Sequence, residues 1–379
     1  MYDYPLLISS QTLSATSTKS KNNDKIVNTS ITPLRNNVNH DTIVVSNRKG
    51  EGYMDINRMT REFVDMLNTW HALSEVYDDK LDRDIHRWYY EAESVKPERP
   101  YFSPSSINSD KRELYLKQTG ARRDIMERQP HQGRWTRLGT AIGDMIQRDI
   151  LFIGKHYERM VGKKPPFEFE FNDNGTPVFE DFAKKSVPIA YKGNLFYLYG
   201  TCDGIMKYRA PNGEIVRVGL EIKSKQTTNA KTSLYSMKKA EEKHYKQCVG
   251  YSLMYGVDYY IVLYVNASKK AWVMSDEDAR KIPDIRAFGY EMTYTDQLEV
   301  IEHLNDIMEA VKNEQPPKLD LHKWTFNNYK TACALSLTDE EYAVVKREVN
   351  IMLESEQPNF IKNGYRSALD FINEMTGRN

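Results

Sequence analysis

The stretch Asn194–Lys223, NLFYLYGTCDGIMKYRAPNGEIVRVGLEIK, decides the fold of this chain. Its apolar, aromatic and β-branched residues predict two strands, at 194–208 and 214–223. Pro211-Asn212-Gly213 separates them as a turn. The two strands are therefore predicted to lie side by side in one sheet.

Three side chains on these strands carry chemistry. Asp203 lies inside the first predicted strand, and Glu221-Ile222-Lys223 ends the second. Side chains alternate between the faces of a strand, so Glu221 and Lys223 share one face and Ile222 points the other way. Because neighbouring strands lie about 5 Å apart, Asp203 and Glu221 can converge on one cation.

Such a site suits phosphodiester hydrolysis. Two carboxylates and a backbone carbonyl, that of Ile222, are ligands for a hard cation such as Mg²⁺ or Mn²⁺. The ion can activate water, and Lys223 can orient the hydroxide or offset charge on the phosphate. A Glu-x-Lys pattern alone is weak, because the chain repeats it at Glu241–Lys243, where helical spacing indicates a solvated face. A strand-end turn for Asp203 and an exposed edge for Glu221 and Lys223 explain these residues equally well.

A helix predicted at 236–255 follows the second strand. Gln247 and Tyr251 are four residues apart and stack on one helix face, which His244 joins one turn earlier. Their polar tips can reach a bound strand or the catalytic groups. An ordinary amphipathic helix with a Tyr in its core accounts for the pair as well.

The rest of the chain alternates between helical and strand patterns. Apolar spacing predicts helices and strands in the order helix, several strands, helix, strand, which is typical of an α/β or α+β sheet flanked by helices. The further helices are predicted at 56–95, 134–160, 295–313 and 338–354. The further strands are predicted at 167–171, 186–191 and 259–266, with 271–274 pairing with the last.

Composition limits the classes of protein. The chain has 53 Lys and Arg against 53 Asp and Glu, so a nucleic acid must meet a local basic patch. Three separated cysteines and the absence of a long apolar run or a signal pattern predict a cytoplasmic protein without a membrane span. No P-loop, GxSxG or HExxH pattern occurs, which argues against an ATPase, a serine hydrolase or a zinc protease.

In this order, Gly-x-x-Asp, Glu-x-Lys and Gln-x-x-x-Tyr resemble the RecB-like branch of the PD-(D/E)XK nuclease superfamily. The resemblance implies an α/β restriction-endonuclease-like core with a mixed central sheet flanked by helices, and helical N- and C-terminal additions. It implies that Asp203 and Glu221 bind metal and that Lys223 is catalytic. Gln247 and Tyr251 would contact DNA or support the site.

Four regions follow from the pattern and the resemblance. Residues 1–50, rich in Ser, Thr, Asn and Lys, are expected to form a disordered or loosely ordered arm. Residues 51–99 are expected to be a helical extension, 100–280 the nuclease core, and 281–379 a helical C-terminal region.

The chain departs from the family pattern in two places. The family usually has Gly-x-x-x-His on the helix before the sheet, whereas here Gly143 occupies the histidine position. Asp144 and Glu170 are the candidate replacement metal ligands. Some members carry a four-cysteine iron–sulfur cluster, with one cysteine at the position of Asp110. Because this chain has three cysteines in all, we expect no iron–sulfur cluster.

Basic residues lie on both sides of this pattern and are candidate phosphate contacts. They are Arg112, Lys117, Arg122, Arg123, Arg128, Arg134, Arg137 and Arg148, with Trp135 among them, and Lys225, Lys231, Lys238, Lys239 and Lys246. Solvated helix faces and loops are the alternative explanation of each.

The first hypothesis is a metal-dependent DNA nuclease, an exonuclease by resemblance, that acts in DNA recombination, repair or replication. DNA is then the partner, with recombination or replication proteins as further candidates, and the oligomeric state stays open. Gly143 motivates a second hypothesis, a non-catalytic DNA-binding scaffold with a degenerate nuclease fold. The terminal segments motivate a third, a structure-specific endonuclease.

Overall fold

A five-stranded mixed sheet lies at the centre of the computed structural model, which describes residues 54–125 and 127–378. The arm predicted at 1–50 lies outside these residues. A second, three-stranded sheet lies apart from the first, and helices flank both. The chain therefore has the mixed α/β fold that the sequence predicts.

Eight strands and eleven α-helices are defined in the described ranges, besides three short 3₁₀ helices. The strands are β1 Tyr101–Phe102, β2 Phe167–Phe169, β3 Lys185–Tyr191, β4 Asn194–Gly200, β5 Gly204–Arg209, β6 Ile215–Lys225, β7 Tyr259–Asn266 and β8 Ile285–Glu291. The helices are α1 Ile56–His71, α2 Asp79–Glu91, α3 Lys111–Gln118, α4 Pro130–Val161, α5 Glu180–Ala183, α6 Glu242–Tyr255, α7 Asp276–Lys281, α8 Tyr294–Lys312, α9 Lys330–Leu335, α10 Asp339–Glu354 and α11 Asn359–Thr376.

The long strand β6 sets the geometry of the central sheet, whose order is β2-β5-β6-β7-β8. It pairs antiparallel with β5 and parallel with β7, where Glu221 lies opposite Val262. Gly219 makes this pairing possible, because a Cβ there would lie 2.1 Å from Cζ of Tyr260. The parallel pair requires a crossover, and α6 provides it.

A hydrophobic cluster covers each face of the sheet. On one face α1 and α4 pack on alternate residues of β6 and β7, including Leu220 and Leu263. On the other face α6 and α8 pack on the intervening residues of the same strands, including Val262 of β7. Glu221 lies between Leu220 and Ile222 and therefore points to the α6 face.

The strand predicted at 194–208 is in fact two strands in two sheets. β4 pairs with β1 and β3, whereas β5 pairs with β2 and β6. Residues 201–203 form the break between β4 and β5, so Asp203 precedes a strand rather than lying inside one. Close packing requires a glycine where β5 begins, because a Cβ on Gly204 would lie 2.4 Å from Cε1 of Phe169 in β2.

The pairing predicted for residues 271–274 is wrong. They form bends and a loop, and β7 pairs instead with β6 and with β8. The central sheet therefore extends beyond residue 280. The helical segment before residue 99 also joins the core, since Met59, Phe63 and Leu67 of α1 are fully buried.

Candidate active site

The end of β6 brings Glu221 and Lys223 to one face of the sheet, as the alternation predicts. Their side chains form an ion pair, although Glu221 is only 1% exposed. Apart from that contact, neither carboxylate oxygen of Glu221 has a polar partner. A buried acid with free acceptor capacity therefore lies beside a lysine.

Asp203 reaches this acid from the break between β4 and β5. Its Oδ2 accepts a hydrogen bond of 2.6 Å from the backbone N–H of Ile222, the residue between Glu221 and Lys223. This contact fixes the Asp203 carboxylate against the C-terminal part of β6. The predicted convergence of Asp203 with the Glu-x-Lys segment is thus present in the structure.

Two further side chains, Gln147 and Glu180, join the site although the sequence analysis does not select them. Gln147 of α4, which is 2% exposed, donates from Nε2 to the carbonyl of Asp203 at 2.9 Å and to Oε1 of Glu180 at 3.3 Å. Glu180 is also tied to the segment before Asp203, because its N–H donates to the carbonyl of Cys202 at 3.0 Å. Glu180 has φ of 46°, a conformation uncommon for a residue with a side chain.

Only one of these two residues leaves a signal in the sequence. The family pattern Gly-x-x-x-His can also be aligned one helical turn later in the chain. Gly143 then takes the glycine position, and Gln147, a polar residue, takes the histidine position. Glu180 lies next to Asp181 between Phe179 and Phe182, in a short segment without periodicity, so no local pattern identifies it.

A cavity of about 500 Å³ opens beside these residues. Asp203, Glu180 and Asp144 supply acids to its wall, and Tyr89 of α2 supplies an aromatic ring. The other lining residues are Gly139, Thr140, Gly143 and Ile222. The small residues Gly139 and Gly143 of α4 leave this wall open, so Asp203, Glu180 and Asp144 face the cavity. Glu221 is not among the lining residues, because its side chain points to the α6 face and is 1% exposed.

The acids of the site are hard to ionise together without a cation. Burial raises the pKa of Glu221 to about 8, and the neighbouring Asp203 carboxylate adds to the shift. Burial likewise raises the pKa of Glu180 to about 7, again with a contribution from Asp203. The pKa values of Asp203 and Asp144 are also raised, in both cases by burial first.

Lys223 responds in the opposite direction. Burial of its ammonium group acts to lower its pKa, but the nearby Glu221 and Asp203 carboxylates outweigh burial and raise it. Lys223 is therefore protonated at neutral pH, and its positive charge lies beside the two acids.

The α6 face closes the site from behind. Gln247 and Tyr251 are both buried, with 9% and 6% exposure, and lie within 3.5 Å of each other through Nε2 and the hydroxyl. Burial raises the pKa of Tyr251, and the charges of Glu221 and Asp203 add to the shift. Tyr251 therefore interacts electrostatically with both acids, and Gln247 contacts Tyr251. His244, on the same face, bonds through Nδ1 to the hydroxyl of Tyr264 at 2.8 Å.

The two candidate replacements for the missing histidine have different positions. Asp144 is exposed and lines the cavity with Asp203 and Glu180. Glu170 is held elsewhere, since Arg217 binds both of its carboxylate oxygens at 2.7 and 3.1 Å. The structure therefore brings Asp144 to the site and leaves Glu170 outside the residues that line it.

Asp203, Glu221, Glu180 and Asp144 offer carboxylate oxygens to a metal ion, and Ile222 adds a backbone carbonyl. As the side chains stand, no three His, Cys, Asp or Glu residues in the described ranges form a group that could hold a metal ion. In this arrangement the Lys223 ammonium is the cation beside Glu221.

The candidate phosphate contacts divide into exposed and structural residues. Arg122, Arg128, Arg134 and Arg137 are exposed. Arg112 is fully buried and cannot meet a phosphate. It binds both oxygens of Glu341 and the carbonyls of Pro317 and Ser336, which fastens α3 to the C-terminal helices.

The chain is distantly similar to two solved structures. The crystal structure of SSO0001 matches with a TM-score of 0.36 and 11% identity, over 67% of this chain and 95% of that one. The crystal structure of an alkaline exonuclease, LHK-Exo from Laribacter hongkongensis, matches with a TM-score of 0.31 and 12% identity, over 61% of this chain and 94% of that one. Neither similarity identifies a site residue of this chain. No family model and no curated protein sequence matches it.

None of the helices in the described part of the chain has the length and apolar character needed to cross a membrane.

Proposed function

We propose that this protein is a metal-dependent DNA nuclease of the RecB-like PD-(D/E)XK type. One observation carries the proposal: buried Glu221, Lys223 beside it and Asp203 meet at the end of β6, next to an open cavity. Burying acids together raises the free energy of their ionised forms, which a structural role does not require. Binding of a divalent cation and a phosphate at this site would account for the arrangement.

The donor atoms fit a hard cation such as Mg²⁺ or Mn²⁺. They are carboxylate and carbonyl oxygens without sulfur, and the Glu221 oxygens lack any partner except Lys223. Asp203, Glu221 and Glu180 would hold the ion, with the Ile222 carbonyl and Asp144 as further ligands. When bound, such an ion activates water and stabilises charge on a phosphate.

The protein's own residues have distinct roles in this proposal. Lys223 carries a positive charge at the point where negative charge develops on the phosphate. Gln147 holds Glu180 and the Asp203 backbone in place, and so orients two of the acids. Gln247 and Tyr251 exclude water behind Glu221, because both are buried.

The finer assignments rest on the resemblance to RecB-like nucleases. They are exonuclease action, a role in DNA recombination, repair or replication, and association with proteins of those processes. A cytoplasmic location is proposed on separate grounds, the cysteines. The three cysteines are buried and free, which suits a reducing compartment. The expectation that no iron–sulfur cluster is present stays a prediction.

A hydrolysis assay tests the proposal. Linear and covalently closed circular DNA are incubated with the protein and Mg²⁺ or Mn²⁺, and released nucleotides are measured. We expect cleavage that Asp203→Asn and Glu221→Gln abolish and that Lys223→Met lowers by about 100- to 1,000-fold. Cutting of the circle would indicate an endonuclease.

The matched control is Glu170→Gln. It removes an acid that directly follows β2 and that Arg217 holds outside the cavity lining, so activity should persist. Absence of hydrolysis by the native chain, or full activity of Asp203→Asn, would contradict the proposal.

One observation favours the non-catalytic alternative. Lys223 pairs with Glu221, and no described group of three ligands is assembled. A scaffold would bind DNA with strong salt dependence and would not cleave it. Its thermal stability would also be independent of Mn²⁺, which separates it from a nuclease that is merely slow.

A further inference from the structure

The first half of α4 is an exposed surface that runs directly into the cavity. Residues 130–141 are almost all exposed or half-exposed, whereas Ile146, Ile150 and Ile153 further along the helix are fully buried. Gly139 and Thr140 belong to this exposed half and also line the cavity. Any polymer that enters the cavity from this side must cross the helix surface.

This surface is held rigidly beside the catalytic strand. Gln226, the residue after β6, donates from Nε2 to the carbonyl of Trp135 at 3.0 Å. A Cβ on Gly139 would lie 3.3 Å from Oγ of Ser224 in β6, so helix and strand are in close contact. Trp135 is one helical turn before Gly139 and therefore lies near the mouth of the cavity.

The chemistry of the surface is basic and aromatic. Residues 130–143 contain Arg134 and Arg137 and no Asp or Glu. Both arginines are exposed, and neither has an ion pair or side-chain hydrogen bond within the described ranges. The Trp135 ring is 48% exposed, and Tyr89, which is 41% exposed, places a second ring in the cavity wall.

We infer that this helix surface binds a single strand of nucleic acid and leads it into the active site. Unpaired arginines neutralise phosphates, and an exposed aromatic ring stacks on a base only when that base is not paired in a duplex. Trp135 then stacks on an unpaired base along the helix surface, and Tyr89 stacks on an unpaired base inside the cavity. The inference rests on the proposed nuclease function and defines its substrate class.

Binding without cleavage tests the inference. The full-length protein in EDTA is titrated into a fluorescein-labelled 20-nucleotide single strand and into the duplex of the same sequence, and anisotropy gives the Kd. We expect Trp135→Ala to weaken single-strand binding by about 5- to 140-fold, the range measured for loss of one base–aromatic stack. Duplex binding should change less than threefold.

Arg137→Ala reports the charge contribution. It should weaken single-strand binding and lower the slope of log K against log salt concentration by about 0.7. Trp135→Phe keeps an aromatic ring and should stay within threefold of the native chain, which also provides a folded variant if Trp135→Ala fails to fold. Phe360→Ala and Arg366→Ala on α11 are the exposed aromatic and basic controls and should change neither Kd.

The outcomes separate this inference from the proposed function. Equal losses on single strand and duplex, or a Trp135→Ala effect no larger than that of Phe360→Ala, would overturn the single-strand path. If DNA is hydrolysed in an Asp203-dependent way in that case, the nuclease proposal survives. If the Trp135 effect appears but no DNA is hydrolysed, the binding surface stands and the nuclease proposal fails.

Discussion

Replacing Gln147 with leucine tests whether the buried contacts of α4 orient the acids of the site. The substitution keeps a side chain of similar size and removes the Nε2 donor, which serves the Asp203 carbonyl at 2.9 Å and Glu180 Oε1 at 3.3 Å. Because Gln147 is only 2% exposed, water cannot easily replace the donor at the Asp203 carbonyl.

The cost in stability can be worked from these contacts. Each buried acceptor left without a donor costs about 1–3 kcal/mol. The substitution leaves the Asp203 carbonyl and Glu180 Oε1 without this donor, but water in the cavity can reach Glu180, which lines it. It also removes Oε1 of Gln147, which is buried and has no partner. The net loss should therefore equal about one unpaired group, on the order of 1–3 kcal/mol.

The cost in activity should be larger than the loss of stability implies. Groups that orient metal ligands typically contribute 10- to 100-fold to metal affinity or activity. We therefore expect Gln147→Leu to lower kcat by about 10- to 100-fold at saturating DNA, with KM within about threefold. Urea denaturation gives the free energy of unfolding, and steady-state hydrolysis gives kcat and KM.

Gln297→Leu is the matched control. It removes a similar donor, to Ser252 Oγ at 3.0 Å, on α8, and should leave kcat unchanged. If Gln147→Leu lowers stability but leaves kcat and the Mn²⁺ dependence at native values, Gln147 is only a packing residue and the reasoning is refuted.

Three further predictions follow from the fold. Arg112→Ala should lower the free energy of unfolding by about 3 kcal/mol, because it leaves Glu341 and buried carbonyls without their partner; a loss under 1 kcal/mol in urea denaturation would contradict this. Burial raises the pKa of Asp110 to about 7, so the native chain should lose stability as pH rises from about 4 to about 7, and Asp110→Asn should flatten the Tm profile; parallel profiles would count against it. Excess Mn²⁺ at pH 8 should raise the Tm of the native chain but not of Glu221→Gln, by linkage between binding and folding; equal shifts would place the ion elsewhere.

The core of the site was predictable because its signals are local. Alternation along one strand places Glu221 and Lys223 on the same face, as the ion pair shows. Asp203 directly precedes the neighbouring strand β5 and so comes within reach, as its hydrogen bond from Ile222 shows. The helical spacing of Gln247 and Tyr251 likewise places both on one buried face.

The remainder depends on contacts between distant segments. Glu180 reaches the site through an irregular backbone conformation and a bond to Cys202, which no periodicity encodes. The split of 194–208 into β4 and β5 could not be read from composition, because both halves have strand-forming residues. Arg112 shows the same limit: its buried partners are more than 200 residues away, so a sequence pattern indicates only a basic side chain.

Anomalous scattering from crystals of the native protein soaked in Mn²⁺ would locate the ion itself. A peak bounded by the carboxylates of residues 203 and 221, with the lysine at 223 turned away from the acid, is the result expected here. A peak at any other place, or none at saturating Mn²⁺ while the crystals stay intact, would contradict a metal-dependent nuclease built on the end of β6.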